Sequence, residues 1–458
     1  MRDIKRFPIG GTHLPEHKAL TTDSAIRSIR PSNAVAIPLR QHIGAPALPA
    51  VKSGDHVTAG QLIGKPAKGL SVAIHSSVAG TVRAIETRRM IEGTDTSCVV
   101  IECDVADRPA DSGTADARFL TVCGPDDPVP DADTVIAAVR EAGIVGMGGA
   151  AFPTHIKLQL KPDVKIDTVI INGAECEPYI TTDDRLMQEQ ARAVFRGLDI
   201  IRRTVGAAQG FVACEINKPQ ALERLHEEAR NWTCLDAVRL DTRYPHGAEK
   251  HLIKAVLDRE VPTRQLPMAV GVVVNNVQTA IAIAMAVDRG QPLTARVLTV
   301  SGSAIRDPGN FLAPIGTPVR DLIAAAGGAS SPDCHVIIGG PMTGTATQDL
   351  ELPVTKSTSG IVLLQAGDYA DRRNEVCIRC GRCVSVCPMY LQPNRITAFV
   401  NNDMIPEAEE FGVNDCILCG ACSYVCPSRR PLLQWLREGK LKSSQIAREI
   451  SRQGGPEA

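Results

Sequence analysis

The sequence predicts a multidomain α/β and α+β protein built from four modules. Three observations carry that expectation. The first 115 residues are short strand-like runs broken by glycine turns. From about residue 131, β-branched runs alternate with helical segments, the pattern of a mainly parallel sheet covered by helices. Eight of the 15 cysteines then crowd between Cys377 and Cys426 in a duplicated block, which marks a small separate domain.

Taken in order, Pro49 to Gly64 sets valine and leucine between glycine-containing turns, and Ser77 to Glu86 supplies a second strand pair. The Pro/Asp-rich stretch Ala106 to Ala115 reads as a linker. Ala132 to Ala142 is helical in composition, Val164 to Ile171 is a buried strand ending at Asn172-Gly173, Ala191 to Thr204 has helical spacing, and Gly210 to Ile216 is another strand. A compact α+β unit follows, with strands at Arg296–Gly302 and Cys334–Gly340 around a helix near Val319–Ala326. Leu432 to Ile450 reads as a last helix, and the final residues as a disordered tail.

Composition narrows the class. Length alone, 458 residues, suggests about three domains; the modules raise that to four. Lys plus Arg number 50 and Asp plus Glu 51, so no global field draws in nucleic acid or an anionic membrane. Hydrophobic residues at 44% and charged residues at 22% are an ordinary globular balance. With aromatics at 3%, the cores must be built from Ala, Val, Ile and Leu. The longest apolar helical candidate, Ala280 to Val287, is far too short to span a bilayer, and no apolar run follows the basic N-terminus as in a secretory signal. In a reducing compartment, cysteines call for a role other than disulfides.

Their spacing supplies one. Cys377-Ile-Arg-Cys-Gly-Arg-Cys-Val-Ser-Val-Cys-Pro388 and Cys416-Ile-Leu-Cys-Gly-Ala-Cys-Ser-Tyr-Val-Cys-Pro427 lie 39 residues apart and agree at 8 of 12 positions. Zinc sites take ligands in pairs, not as a repeated 2-2-3 run. This run is that of two-cluster ferredoxin domains, where the fourth cysteine crosses to the other cluster. On that pattern Cys377, Cys380, Cys383 and Cys426 hold one [4Fe–4S] cluster, and Cys416, Cys419, Cys422 and Cys387 hold the second. The protein therefore handles single electrons.

Four further elements lie in the α/β module. Gly146-Met-Gly-Gly-Ala-Ala-Phe-Pro-Thr-His-Ile-Lys157 lets backbone N–H groups converge on phosphate, with Lys157 adding charge. By itself such a loop serves equally as a structural turn. The strand ending at Asn172 leads into Gly173-Ala-Glu-Cys-Glu-Pro178, placing an amide and two carboxylates where ligands of open α/β sheets sit; the bland alternative for Glu175 and Glu177 is a solvated loop. Tyr244-Pro-His-Gly-Ala-Glu-Lys250 and Val273-Val-Asn-Asn-Val-Gln-Thr279 complete the set.

Together these four elements resemble the flavin- and NADH-binding subunit of respiratory complex I and related NADH-linked hydrogenases. The resemblance implies FMN phosphate held by Gly146, Gly148, Gly149 and Lys157, and flavin held by Asn172, Asn275 and Asn276. It implies Glu175 and Glu177 as the acidic, catalytic positions near nicotinamide and flavin, Tyr244, Gly247 and Glu249 as contacts to flavin and NADH ribose, and Phe152 as an aromatic on adenine. The chain departs from that family at Met147, where arginine is common, and at Ala174, where aspartate is.

Over roughly residues 5–440 the order of modules resembles the C subunit of the Rnf/Rsx ion-translocating electron-transport complex, opening with Gly10-Gly-Thr-His-Leu-Pro-Glu-His-Lys18 and carrying Gly339-Gly-Pro-Met-Thr-Gly344 and Pro353-Val-Thr-Lys356. This implies a barrel-sandwich hybrid domain over 1–115, a Rossmann-like FMN/NADH domain over 116–290, a β-grasp (soluble-ligand-binding-like) module over 291–360, a ferredoxin-like domain with two [4Fe–4S] clusters over 361–440, and a tail over 441–458. Lipoyl carriers share the sandwich fold, but Lys68 lacks the neighbours of a modified lysine and reads as a solvated turn residue. Cys176 reads as a small buried hydrophobe, and the helix bearing Trp435, Arg437, Lys440 and Lys442 as solvated rather than membrane-bound.

The implied function is hydride exchange between NADH and FMN, then single electrons through the two clusters. The chain would be peripheral on the cytoplasmic face of the bacterial inner membrane, held by integral-membrane and iron–sulfur or flavin partner subunits, exchanging electrons with ferredoxin indirectly. The rivals are a cobalamin-reductase-type flavoprotein, which places its flavin loop near the N-terminus, and a non-catalytic iron–sulfur relay.

Overall fold

The computed structural model describes residues 4–104, 122–368 and 375–452. The proposed linker 106–115 and the last residues of the tail fall outside them.

Val169, Ile170 and Ile171 are all fully buried, as a strand covered on both faces requires. Their strand, Thr168–Gly173, lies inside a four-stranded parallel sheet in the spatial order Leu235–Leu240, Gln209–Glu215, Thr168–Gly173, Val272–Asn276. Numbered by chain order, that is 3-2-1-4, so the connections reverse direction between the first strand and the fourth. The crevice at their carboxyl ends is the topological switch point of a doubly wound sheet. Asn276, the last residue of its strand, is the register partner of Asn172, one residue before the end of the other.

Helices Ala132–Glu141, Ala191–Thr204 and Val277–Arg289 cover one face with an aliphatic core of Val135, Val139, Val194, Leu198, Ile281 and Ile283, as the low aromatic content foretold. Gly197 allows the last two to touch: a Cβ there would lie 2.0 Å from the Ala280 carbonyl oxygen. Arg196 and Asp288 pair across the same contact at 2.9 Å, with both side chains almost wholly buried.

The N-terminal module has two antiparallel sheets, one built on the long strands Gly80–Arg89 and Asp95–Cys103 and the other on Leu48–Pro49, Leu62–Lys65 and Ile74–His75. The residues up to Ser28 take no part in these two sheets among the described residues. Lys5 bridges to Leu240, Thr12 to Tyr244, and the strand Arg27–Ser28 pairs with Phe311 and Leu312 in a third, six-stranded sheet. The N-terminus is thus a strap across the other modules.

The six-stranded sheet also corrects a boundary. Strand Gly360–Gln365 pairs with both Ala295–Ser301 and Cys334–Ile338, so it sits within this sheet rather than opening the cysteine-rich domain at 361. Its inner residues Ile361, Val362 and Leu363 are fully buried, which is why the strand cannot be peeled away. At the other end, helix Leu432–Arg452 runs on beyond 440, so the segment expected as a tail is helical to Arg452.

Candidate functional site

The loop Gly146–Ala151 is closed at its neck by Gly146 N–H donating to the Phe152 carbonyl at 2.8 Å and by a bridge between Val145 and Pro153. Its tip, Gly148 to Ala150, is exposed at the switch point. Gly148 is required there: a Cβ would meet the Asn276 side chain at 2.9 Å, whereas Gly149 faces open space. Asn276 accepts the Gln278 N–H at 2.9 Å and so caps helix Val277–Arg289, whose positive N-terminus lies beside the loop.

Three amides lie at the carboxyl ends of strands Thr168–Gly173 and Val272–Asn276. Asn172 donates to the Gly247 carbonyl at 2.8 Å and accepts the Ala174 N–H at 3.2 Å. Asn276 donates to Asp183 at 2.6 Å. Asn275 is buried, and its Nδ2 has no partner. A buried amide donor without an acceptor costs about 1–3 kcal/mol, which a bound acceptor group would recover. The glycine tip and the helix N-terminus fit a flavin phosphate group.

Other expected residues are engaged differently. Lys157 Nζ donates to the Val274 carbonyl at 2.6 Å and pairs with Glu249 at 3.4 Å, so these two join the strand end to helix Glu249–Leu257. Phe152 is half-buried beneath the loop. Glu175, at φ 44°, turns its carboxylate onto the Asp183 and Asp184 N–H groups at 2.6 and 3.2 Å, capping helix Thr182–Glu189. Burial pushes its carboxyl up to about 8 against the pull of Lys18. Glu177 accepts from Met342 N–H at 3.0 Å and from the Thr343 hydroxyl, tying the crevice to the Gly339–Gly344 segment. Its carboxyl is likewise raised by burial.

Two lysines that sequence reasoning passed over hold this bend. Lys18 donates to the carbonyls of Glu175 and Glu177, both at 2.9 Å, and of Ile180. Lys218 donates to the Ala174 carbonyl at 2.7 Å and pairs with Glu215 at 3.4 Å. Lys18 closes the opening motif Gly10–Lys18, but no local pattern gives either lysine its role, because their partners are distant carbonyls. Met147 and Ala174 are both buried. Met147 lies beside Leu186, Ile281 and Met285, away from the crevice.

Tyr244 departs most from expectation. It is buried, and its hydroxyl donates to the Cys419 carbonyl at 2.6 Å, on the loop of the second cysteine block. Gly247 in the same segment reaches Asn172. One short stretch therefore spans from the flavin crevice to the cysteine-rich domain.

There the cysteines sort as the crossing pattern demands. Cys377, Cys380, Cys383 and Cys426 line one cavity of about 380 Å³, mouth included. Cys387, Cys416, Cys419 and Cys422 line another of about 390 Å³. The two loops share a backbone: φ is 57° at Arg379 and 56° at Leu418, then 76° at Gly381 and 78° at Gly420. The Leu418 N–H points at Cys416 Sγ at 3.4 Å. Four thiols around each of two matching cavities fit a pair of cubane clusters. The strap reinforces the second: a Cβ on Gly10 would lie 2.7 Å from the Cys387 carbonyl oxygen, and Gly11 N–H donates to the Val386 carbonyl at 2.8 Å.

Comparison with known proteins agrees module by module. Family models match an RnfC barrel sandwich hybrid domain at residues 6–106, a Nuo51 FMN-binding domain at 139–285, an SLBB domain at 297–346 and a 4Fe-4S dicluster domain at 373–430. The chain is 43% identical to the C subunit of the Na(+)-translocating ferredoxin:NAD(+) oxidoreductase complex of Acetobacterium woodii, covering 94% of this chain and 96% of that one. It is 42% identical to the C subunit of the proton-translocating ferredoxin:NAD(+) oxidoreductase complex of Clostridium ljungdahlii, covering 93% and 92%. It is 41% identical to the C subunit of the ion-translocating oxidoreductase complex of Rhodobacter capsulatus, covering 96% and 84%. Near-full-length identity at this level, with an FMN-binding domain and a two-cluster [4Fe–4S] domain in the same order, places the chain in the family of C subunits of Rnf-type ion-translocating oxidoreductase complexes.

Proposed function

We propose that this chain is the NADH-linked electron-transfer subunit of an ion-translocating ferredoxin:NAD(+) oxidoreductase, and that it is itself catalytic. The observation that carries the reading is the Tyr244–Gly247 segment, which touches Asn172 of the crevice at one end and the Cys419 loop at the other. Bound FMN supplies exchange between a two-electron hydride donor and one-electron acceptors. The residues hold, orient and exclude. Gly148, Gly149 and the helix beginning at Val277 receive the phosphate end; Asn172, Asn275 and Asn276 set the edge of the crevice; Lys157 and Glu249 brace it. Glu175 and Glu177, held by Lys18, position the bend between crevice and clusters. Cys387, Cys416, Cys419 and Cys422 would hold the cluster whose loop Tyr244 touches, and Cys377, Cys380, Cys383 and Cys426 would hold the other.

Among the described residues no helix is long and apolar enough to cross a membrane. The chain sits peripherally, on the cytoplasmic face, held by the other subunits of the complex, with ferredoxin as the distant redox partner. Anaerobic reconstitution with FMN, iron and sulfide followed by NADH titration tests the reading. Bleaching of the flavin together with reduction of both clusters is expected. Bleaching without any cluster response overturns the relay order, and a chain that takes up clusters but no flavin is a pure iron–sulfur relay.

A further inference from the structure

The duplicated cysteine loops share a backbone but not their surroundings. Around the second loop Gly420, Ala421 and Cys422 are buried, Tyr244 donates to the Cys419 carbonyl, and Lys440 donates to the Cys416 carbonyl at 2.6 Å. Around the first loop Val376 is 87% exposed and Ile378 66%, while Arg379, Cys380, Arg382 and Val384 are all exposed.

The sequence differs between the copies where this asymmetry needs it. The buried copy has Leu418, Ala421 and Ser423; the exposed copy has Arg379, Arg382 and Val384 at the matching positions. Neither arginine has a hydrogen-bond or ion-pair partner among the described residues, and the acidic side chain nearest in sequence is Glu375, also exposed. Apolar groups this exposed beside a redox centre carry a hydration cost that a stable free surface avoids. Two unpaired guanidinium groups around them form the charged rim of an interface.

We infer that the face formed by Val376, Ile378, Arg379, Arg382 and Val384 is the docking surface through which the Cys377 cluster exchanges electrons with another subunit of the complex, one presenting an acidic, apolar-centred surface over a one-electron centre. The inference rests on the electron-transfer reading above and names its exit. The balance is simple: one NADH yields NAD+, a proton and two electrons, and each electron crosses this face singly to reduce one partner centre. The arginines steer and orient the encounter, while the aliphatic side chains bring the cluster loop into dry contact.

The test uses the intact purified complex carrying a photo-crosslinking side chain in place of Ile378. Covalent capture of another subunit of the complex at an acidic peptide is expected. An assembled complex that gives no capture, or capture at a basic peptide, overturns the inference. Independently, Arg379→Glu with Arg382→Glu slows electron passage from NADH to the rest of the complex by about tenfold at low ionic strength. Both clusters still assemble and still respond to NADH in the isolated loaded chain, and the Arg379→Lys, Arg382→Lys pair restores passage. Passage within about twofold of the native rate in the charge-reversed complex overturns the inference. If the native loaded chain shows no cluster response to NADH, the electron-transfer reading fails instead, and crosslinking at Ile378 still decides the docking face.

Discussion

Tyr244 shows what a single hydroxyl decides. Motif order placed it at the flavin, yet its hydroxyl meets the Cys419 carbonyl, a contact between residues far apart in sequence that no local pattern encodes. Donation to that carbonyl polarises the Cys419–Gly420 peptide, and a cluster held by this loop would sit in the more positive field that results. Hydrogen bonding of this kind raises the potential of an iron–sulfur cluster. Tyr244→Phe is therefore expected to lower the midpoint of the Cys416 cluster and leave that of the Cys377 cluster in place, at a stability cost of about 0.5–1.5 kcal/mol. Redox titration followed by EPR reads both; equal midpoints in variant and native protein would refute the link. The crossing ligands give a sharper outcome. Cys387→Ser should remove the cluster of the second loop, and Cys426→Ser that of the first, each halving bound iron. The sorting of these eight cysteines into two cavities was legible because ligand spacing is a local constraint; Lys18 and Lys218 were not, because a lysine aimed at distant carbonyls leaves no periodic trace.

At the scale of elements, the sequence was most informative where one principle governs. Of the run Val164 to Ile171 read as a buried strand, the part from Thr168 is one and continues to Gly173, while Val164 to Asp167 lie outside it; Ala191–Thr204 has the helix its spacing predicts. A glycine inside that helix costs roughly 0.5–1 kcal/mol relative to alanine, which looks like a flaw until the packing is seen. Gly197 lies against the Ala280 carbonyl, with no room for a Cβ. Gly197→Ala should force the helices Ala191–Thr204 and Val277–Arg289 apart and destabilise the domain by about 1–3 kcal/mol despite the better helix propensity. Chemical denaturation measures it; a stabilised variant would mean that the contact yields freely. The same separation would strain the buried Arg196–Asp288 pair and shift Asn276 at the head of the second helix, so weaker FMN binding is expected alongside. Boundaries were less legible: strand Gly360–Gln365 joins a sheet whose other members begin as far back as Arg27 and Ala295, and only pairing reveals that.

At the scale of the molecule, the modules are bound into one body by contacts that combine poorly with acid. Lys356, fully buried, donates to the Ala73 carbonyl of the sandwich at 3.1 Å and to the Gly143 carbonyl of the flavin domain at 2.7 Å. Its own backbone is held by Gln41 and Arg296. Burial pulls its ammonium down to about 7. Beside it His42 and His75 are lowered to about 4, first by burial and then by the lysine's charge. A histidine kept neutral in the fold contributes stability that is present in full above its unfolded value of 6.5 and is lost as pH falls from there toward 4. Lys356 acts in the same direction over a higher window: stability present above its unfolded 10.5 is lost as pH falls toward 7. The seam should therefore loosen on acidification, by up to roughly 3 kcal/mol per histidine once pH reaches 4. His42 also accepts the Val72 N–H at 2.9 Å, a role that a glutamine carbonyl can take over without titrating. His42→Gln is thus expected to match the native protein at pH 7 and to exceed it at pH 5. Lys356→Met removes the charge that adds to burial in depressing both histidines, so it should raise their folded values part of the way back toward 6.5 and lessen the acid loss, while separating the sandwich into an independent calorimetric transition. Scanning calorimetry between pH 4 and pH 8 distinguishes the outcomes: an unchanged single transition in Lys356→Met would show that the strap and sheet pairing, not this lysine, bind the modules together.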